Sequence, residues 1–289
     1  QRQMCIRDRY YEQVLKVITL LDKPEIKAEP LGQEAWYEID DVQDLNIAES
    51  IFAEKEEKLD KFSRRWGGYW RYPQLLDFCY LVNPFYPNQK LIDEMKANFE
   101  RLLCEYPSGM EVNSLLAAKY YGLHKEQVCV GNGAAELIKE LMESGQGKTG
   151  MIYPSFEEYP NRKEQNEIVP FFASRPAFRY TAEELMTFYE DKDIKNLVLI
   201  NPDNPSGNYI EKQDVLKMAD WAQKKGTQFI VDESFVDFAD TNEPASLLDE
   251  EIIKNYPGMV VVKSISKSFG VPGLRLGCLL YTSDAADEA

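Results

Sequence analysis

Three short apolar runs constrain this chain more than any other feature. Leu197-Val198-Leu199-Ile200, Phe229-Ile230-Val231 and Met259-Val260-Val261-Val262 are rich in β-branched residues and bounded by turn formers. Runs of that length and composition predict buried strands. Each one ends in polar chemistry. The first runs into Asn201-Pro202-Asp203-Asn204-Pro205-Ser206-Gly207, the second into Asp232-Glu233. The third runs into Ser264-Ile265-Ser266-Lys267-Ser268-Phe269-Gly270-Val271-Pro272-Gly273-Leu274-Arg275-Leu276-Gly277. Between the first two, Glu211–Lys225 carries Val215, Met218, Ala219 and Ala222 at helical spacing. This alternation, from about residue 126 onward, predicts an α/β fold: a mainly parallel sheet sandwiched by helices, with right-handed crossovers. Such sheets bind ligands outside the carboxyl ends of their strands.

Taken singly, the three strand ends have ordinary readings. The first is a rigid Asn-Pro-Gly turn, the second a helix cap, the third a Ser-capped turn carrying a solvated lysine. Taken together they put an amide, a carboxylate and a lysine on one sheet edge, with two hydroxyls and an arginine suited to a phosphate dianion. Burial beside a second cation would lower the lysine's pKa and leave a nucleophilic amine. An amide for a phenolic oxygen, an acid for a pyridinium nitrogen and a lysine for an aldehyde match pyridoxal 5′-phosphate.

The order NPxNPxG, DE, SxSKxxGxxGxRxG resembles the fold-type-I pyridoxal-phosphate aminotransferases (class I and II), in the branch of histidinol-phosphate aminotransferase and threonine-phosphate decarboxylase. The likeness runs from about Trp66 to Gly277. It implies that Lys267 joins the cofactor's aldehyde and later carries a proton, and that Asp232 holds the pyridinium proton. It implies that Asn204 bonds the ring oxygen and that Ser264, Ser266 and Arg275 hold the phosphate. By family position Phe156, in Pro154-Ser155-Phe156, stacks on the ring; packing in the core is the competing reading. Tyr106 crosses a homodimer interface to the neighbour's phosphate, or else packs over Pro107. Asn83 puts backbone near the substrate carboxylate. Where general aminotransferases carry a tyrosine, this chain has Phe235, as in the phosphothreonine decarboxylase branch; Trp66 replaces that branch's usual histidine. Transamination of an amino acid or a phosphorylated or phosphonate amine is the first reading and decarboxylation of a phospho-amino acid the second. The resemblance also implies a small C-terminal domain with a carboxylate-binding arginine, which is expected to lie outside this fragment.

Two phosphate-loop patterns are misleading. Gly131-Asn132-Gly133-Ala134-Ala135-Glu136 follows a strand and opens a helix, but Glu136 occupies the third glycine's place in a dinucleotide fingerprint. With the lysine and the acid downstream, the amides of Gly133, Ala134 and Ala135 suit the cofactor phosphate instead. Gly145-Gln146-Gly147-Lys148-Thr149 lacks a strand before it and a glycine at Met142, so it reads as a helix-ending loop.

Residues 10–62 differ. Glu34–Leu45 reads as a short strand and Asn46–Phe52 as a helix, with Glu38 and Asp40 two apart on one strand face. An acidic strand edge before a capped helix is one reading. The segment Trp36–Glu49 also resembles the closing part of sugar- and choline-phosphate nucleotidyltransferases, which implies Mg²⁺ at Glu38 and Asp40 and a two-enzyme fusion. Residues 63–277 then form the aminotransferase arm and large domain, and residues 90–105 an amphipathic helix. The first nine residues can be encoded by an oligonucleotide whose reverse complement encodes Cys278–Ala285. Residues 1–9 and 278–289 are therefore expected to be sequencing-adapter read-through outside the fold.

A formal charge of -16 argues against nucleic acid and membrane surfaces as partners. The acidic N-terminal portion, with no helix-turn-helix pattern or basic face, opposes a non-catalytic pyridoxal-phosphate regulator with a DNA-binding head. Cys79, Cys104 and Cys129 form no metal or disulfide spacing, and a cytoplasmic location follows as the expectation.

Overall fold

The computed structural model describes residues 35–63 and 81–281, together with isolated positions between 16 and 78. Trp66 and the Trp66–Trp70 arm motif lie outside the described residues, as do residues 1–9. The chain divides into two compact units, Gln1–Cys79 and Tyr80–Ala289.

In the first unit, α1 (Val42–Phe52) is followed by α2 (Lys55–Ser63). The strand expected before α1 is absent: residues 35–39 are irregular, and no strand partner exists among the unit's described residues. The helix also starts earlier than its apolar pattern suggests. Asp41 accepts from the amides of Gln43 and Asp44, and Asp44 reaches back to the amide of Asp41. This reciprocal capping satisfies the orphan N–H groups and sets the first turn at Val42.

The second unit is built on a seven-stranded sheet in the order β1-β7-β6-β5-β4-β2-β3. Its strands are β1 (Val128–Asn132), β2 (Thr149–Tyr153), β3 (Ile168–Phe172), β4 (Asn196–Ile200), β5 (Gln228–Asp232), β6 (Met259–Lys263) and β7 (Leu276–Leu280). The run from β3 through β6 is parallel, and β7 is antiparallel to both β6 and β1. Every residue of β4 and β6 is buried, as parallel strands covered on both faces require.

The side-chain period of two divides these strands between two cores. Leu197, Leu199, Phe229, Val231, Met259 and Val261 face one way, into a cluster with α7 (Ala182–Tyr189) and α8 (Lys212–Lys225). Val198, Ile200, Ile230 and Val262 face the other way, onto Ile138 and Met142 of α6 (Ala134–Ser144). The crossover residues Val215, Met218, Ala219 and Ala222 are all buried, as their spacing predicts.

Two boundaries differ from the sequence reading. Residues 90–105 form two helices, α3 (Gln89–Ala97) and α4 (Phe99–Cys104), because the Asn98 side chain donates to the carbonyl of Glu94 and competes with the helical ladder. The sheet also extends past Gly277: Cys278-Leu279-Leu280 pair with β1 and β6, and Cys278 and Leu280 are fully buried. Their apolar alternation fills a gap between two strands whatever its origin. Before the sheet, α5 (Met110–Tyr121) ends at Gly122 in the left-handed conformation. After β5 and β6 come α9 (Glu250–Asn255) and α10 (Ile265–Ser268).

Candidate active site

The sheet order puts the carboxyl ends of β4, β5 and β6 side by side. From those ends leave the loop bearing Asn204, the acid Asp232 and the helix bearing Lys267. Antiparallel β7 brings its first residue, Leu276, to the same edge, opposite Asn132 at the end of β1. One edge thus gathers the lysine, the acid, the amide loop and the start of α6.

Lys267 Nζ stands 4.0 Å from the centroid of Phe235 and 5.3 Å from that of Phe156. Burial between these rings lowers the lysine pKa, and Asp232 pulls it back up. The result is an amine that loses its proton more readily than a surface lysine. Asp232 is buried, and both of its oxygens are held. The amide of Ser234 donates to Oδ1 at 2.8 Å, and the hydroxyl of the fully buried Tyr159 donates to Oδ2 at 2.8 Å. Sequence reasoning passes over Tyr159. Its hydroxyl pKa is raised well above the ordinary value by burial and by the carboxylate, so it stays a donor. Tyr159 also meets the edge of Phe156, with ring centroids 6.5 Å apart.

The Asn201–Gly207 loop is pinned at its root. Asn201 exchanges hydrogen bonds with Ile210 through Nδ2 and Oδ1, each 2.9 Å. Asn204 itself lines a cavity of about 430 Å³ with Leu81, Val82, Pro84, Phe235 and Phe238. Asn83 also braces the helix that carries Lys267. Its backbone N–H donates to the carbonyl of Lys267, and its Nδ2 donates to that of Ser268, both at 2.9 Å. It closes the end of the lysine helix.

An anion cradle forms where β1 meets α6. Gly133 has φ +82°, and a Cβ there would lie 3.0 Å from Nη2 of Arg275. A Cβ on Gly277 would lie 2.4 Å from the amide nitrogen of Ala134. Both glycines let backbone and guanidinium close on the first turn of α6, whose N–H groups at Ala134 and Ala135 are free of the helical ladder. Glu136 accepts from the amide of Asn132 at 2.5 Å, so the residue in the third-glycine position closes the loop below the cradle. Ser264 is buried at the N-cap of α10, and its hydroxyl caps none of that helix's amides. Ser266 is committed elsewhere: its hydroxyl donates to the carbonyl of Leu276 and accepts from the Leu276 amide. Tyr106 is fully exposed. In the first unit Glu38 and Asp40 are exposed, and no group of three or more metal-ligating side chains occurs among the described residues.

A lysine between two aromatic rings, a buried acid with both oxygens held and a glycine-lined cradle with an arginine fit a pyridoxal-phosphate site. The family model for aminotransferase class I and II matches residues 92–289, and the chain belongs to that family. Pyridoxal 5′-phosphate is the family's cofactor. The chain is 31% identical over 255 residues to CMP-5'-(3-aminopropyl)phosphonate synthase of Streptomyces rubellomurinus, covering 88% of this chain and 39% of that protein. It is 31% identical over 225 residues to L-serine phosphate decarboxylase of Sulfurospirillum multivorans, covering 73% of this chain and 56% of that one. Among solved structures, the histidinol-phosphate aminotransferase of Sinorhizobium meliloti, in complex with pyridoxal-5'-phosphate, superposes with a TM-score of 0.61. It covers 79% of this chain and 64% of that chain at 16% identity, a likeness of fold. The chain thus spans 39% and 56% of the length of these two curated relatives.

Proposed function

We propose that this chain is part of a pyridoxal-phosphate enzyme that removes the α-carboxylate of an amino acid carrying a phosphate or phosphonate group. The bound cofactor supplies an electron sink for the pair left at the α-carbon. The protein's own residues do the rest. Asp232 holds a proton at the ring nitrogen, and Asn204 bonds the ring oxygen. Phe156 covers the ring. Arg275, Ser264 and the amides of Ala134 and Ala135 would hold the phosphate, with Gly133 leaving room for it while its own amide stays bonded to the carbonyl of Gly131 at 2.9 Å; Ser266 would first have to give up its bonds to Leu276. Lys267, its pKa lowered by burial between Phe235 and Phe156, would anchor the cofactor and, once it has taken the proton of the incoming substrate's ammonium, would deliver that proton to the α-carbon where carbon dioxide leaves.

The observation that carries decarboxylation over transamination is the similarity to the L-serine phosphate decarboxylase over 73% of this chain. The compound for which the Streptomyces relative is named, CMP-5'-(3-aminopropyl)phosphonate, is also a primary amine without a carboxylate beside it. Transamination, the first reading from sequence, uses the same lysine, acid and amide, because both reactions leave an electron pair at the α-carbon. Purified protein given O-phosphoserine would release carbon dioxide with no keto acid present, and Lys267→Ala would abolish both that release and the cofactor's lysine-linked absorbance. Product formation strictly dependent on a keto acid would overturn the proposal in favour of transamination.

The same proposal extends to the whole protein. The match to the Streptomyces relative spans more residues than Tyr80–Ala289 can supply, which supports reading the first unit as the tail of a fused nucleotidyltransferase. Mg²⁺ at Glu38 and Asp40 would belong to that intact domain. Homodimerisation is supported by the exposed Phe99, Leu103 and Tyr106, and sedimentation of the purified chain tests it. No helix among the described residues is long and apolar enough to cross a membrane, which accords with a cytoplasmic enzyme.

A further inference from the structure

Lys263 and Asp237 have no part in the chemistry above, yet they are the most unusual charges near it. Lys263 ends β6, its side chain is only 4% exposed, and its Nζ lies 2.8 Å from Oδ2 of Asp237. A buried ammonium is costly unless paired, so a partner on another element is held firmly. The same Asp237 oxygen accepts from the hydroxyl of Ser268, the residue after Lys267. Asp237 sits in the 3₁₀ turn Val236–Phe238, whose N-cap is Phe235, the ring beneath Lys267 Nζ. That turn follows β5 directly, with the amide of Val236 bonded to the carbonyl of Glu233 at 3.1 Å. The far end of α10 is closed by Asn83, which donates to the carbonyls of both Lys267 and Ser268. Gly270 lets this contact form: a Cβ there would fall 1.8 Å from the carbonyl oxygen of Tyr86.

We propose that Lys263, Asp237 and Ser268 form a clamp that positions Lys267, locking the helix that carries the amine to the turn that carries Phe235. Lys263 fixes the Asp237 carboxylate, Asp237 fixes Ser268, and Ser268 and Asn83 together hold the last turn of α10. The lysine amine is thereby kept against the ring instead of swinging toward solvent. The charged group acting on Lys267 is Asp232 from β5, while Phe156 and Phe235 supply its apolar walls. Glu233, just past the end of β5, and Cys278 of β7 face Lys263 and lie outside the Ser268 limb.

The inference builds on Lys267 as the reactive amine, and its test is read on the cofactor-free chain, so it stands or falls apart from the reaction proposed above. Reductive methylation of Lys267, followed residue by residue by mass spectrometry, gives the pH midpoint at which the amine becomes reactive. Ser268→Ala breaks the clamp without leaving a buried charge unpaired. Its midpoint is expected to rise toward that of an ordinary lysine by about half a unit, or about threefold in the fraction of free amine. Ser268→Thr, which keeps the hydroxyl, is expected to match the parent chain. Asp237→Asn is expected to raise the midpoint similarly and to lower the denaturation midpoint as well, because Lys263 loses its partner. A Lys267 profile identical in the parent chain and Ser268→Ala would overturn the clamp, as would a Ser268→Thr profile displaced as far as that of Ser268→Ala.

Discussion

Replacing Asp203 by asparagine should make the fold more stable at neutral pH and leave it unimproved in acid. Asp203 lies in the loop after β4 and is only 7% exposed. Its carboxylate accepts from Ser206, and its carbonyl accepts from the amide of Gly207 at 2.8 Å. Burial outweighs these bonds and pushes its pKa up to about 6 from an ordinary 3.8. The native chain therefore binds this proton more tightly than the unfolded chain does. The stability that goes with the proton is fully present below pH 3.8 and is lost as pH rises through 6. A difference of about two units corresponds to about 3 kcal/mol. Asparagine keeps an acceptor for Ser206 and cannot ionise, so its advantage should grow from nothing near pH 4 to about 3 kcal/mol at pH 7.5. Urea denaturation of the cofactor-free chain at a series of pH values measures this directly, provided the slopes agree. Groups that titrate elsewhere cancel in the difference between the two chains. Curves that run parallel from pH 4 to pH 8, or a variant less stable at pH 7.5, would refute the reasoning.

Two further substitutions probe the site itself. Gly133→Ala forces a side chain into a left-handed backbone at φ +82° and against Arg275. The strain of roughly 1–2 kcal/mol falls on the anion cradle, so cofactor affinity measured by ultrafiltration should drop about tenfold while the far-ultraviolet spectrum is retained; unchanged affinity would place the phosphate elsewhere. Tyr159→Phe removes the donor to Asp232 Oδ2, so the carboxylate that would hold the ring proton keeps only one of its two fixed partners. The pH midpoint of the bound cofactor's absorbance change should then move by roughly half a unit, whereas an identical titration would reduce Tyr159 to a packing role.

What could be read from the sequence, and what could not, follows from how far each signal reaches along the chain. Strands β4, β5 and β6 were legible because burial on both faces leaves unbroken apolar runs, and α8 because its apolar stripe repeats at 3.6 residues. The meeting of Lys267, Asp232 and the Asn204 loop was legible because each follows one of those strands immediately, so the sheet order alone brings them together. Local polar competition was harder to read. The Asp41–Asp44 cap moved a helix start, and the Asn98 side chain cut one amphipathic pattern into two helices. Least legible were partners that approach from another element. Tyr159 reaches Asp232 across 73 positions and Asn83 reaches Ser268 across 185, with no periodicity to announce either. Ser266 is a further case: its place in the motif suggests a phosphate ligand, and nothing in that motif announces that its hydroxyl also pairs with the backbone of Leu276. Sequence patterns locate the groups that strands carry to the edge, whereas the hydrogen bonds that orient those groups depend on packing that only the folded chain defines.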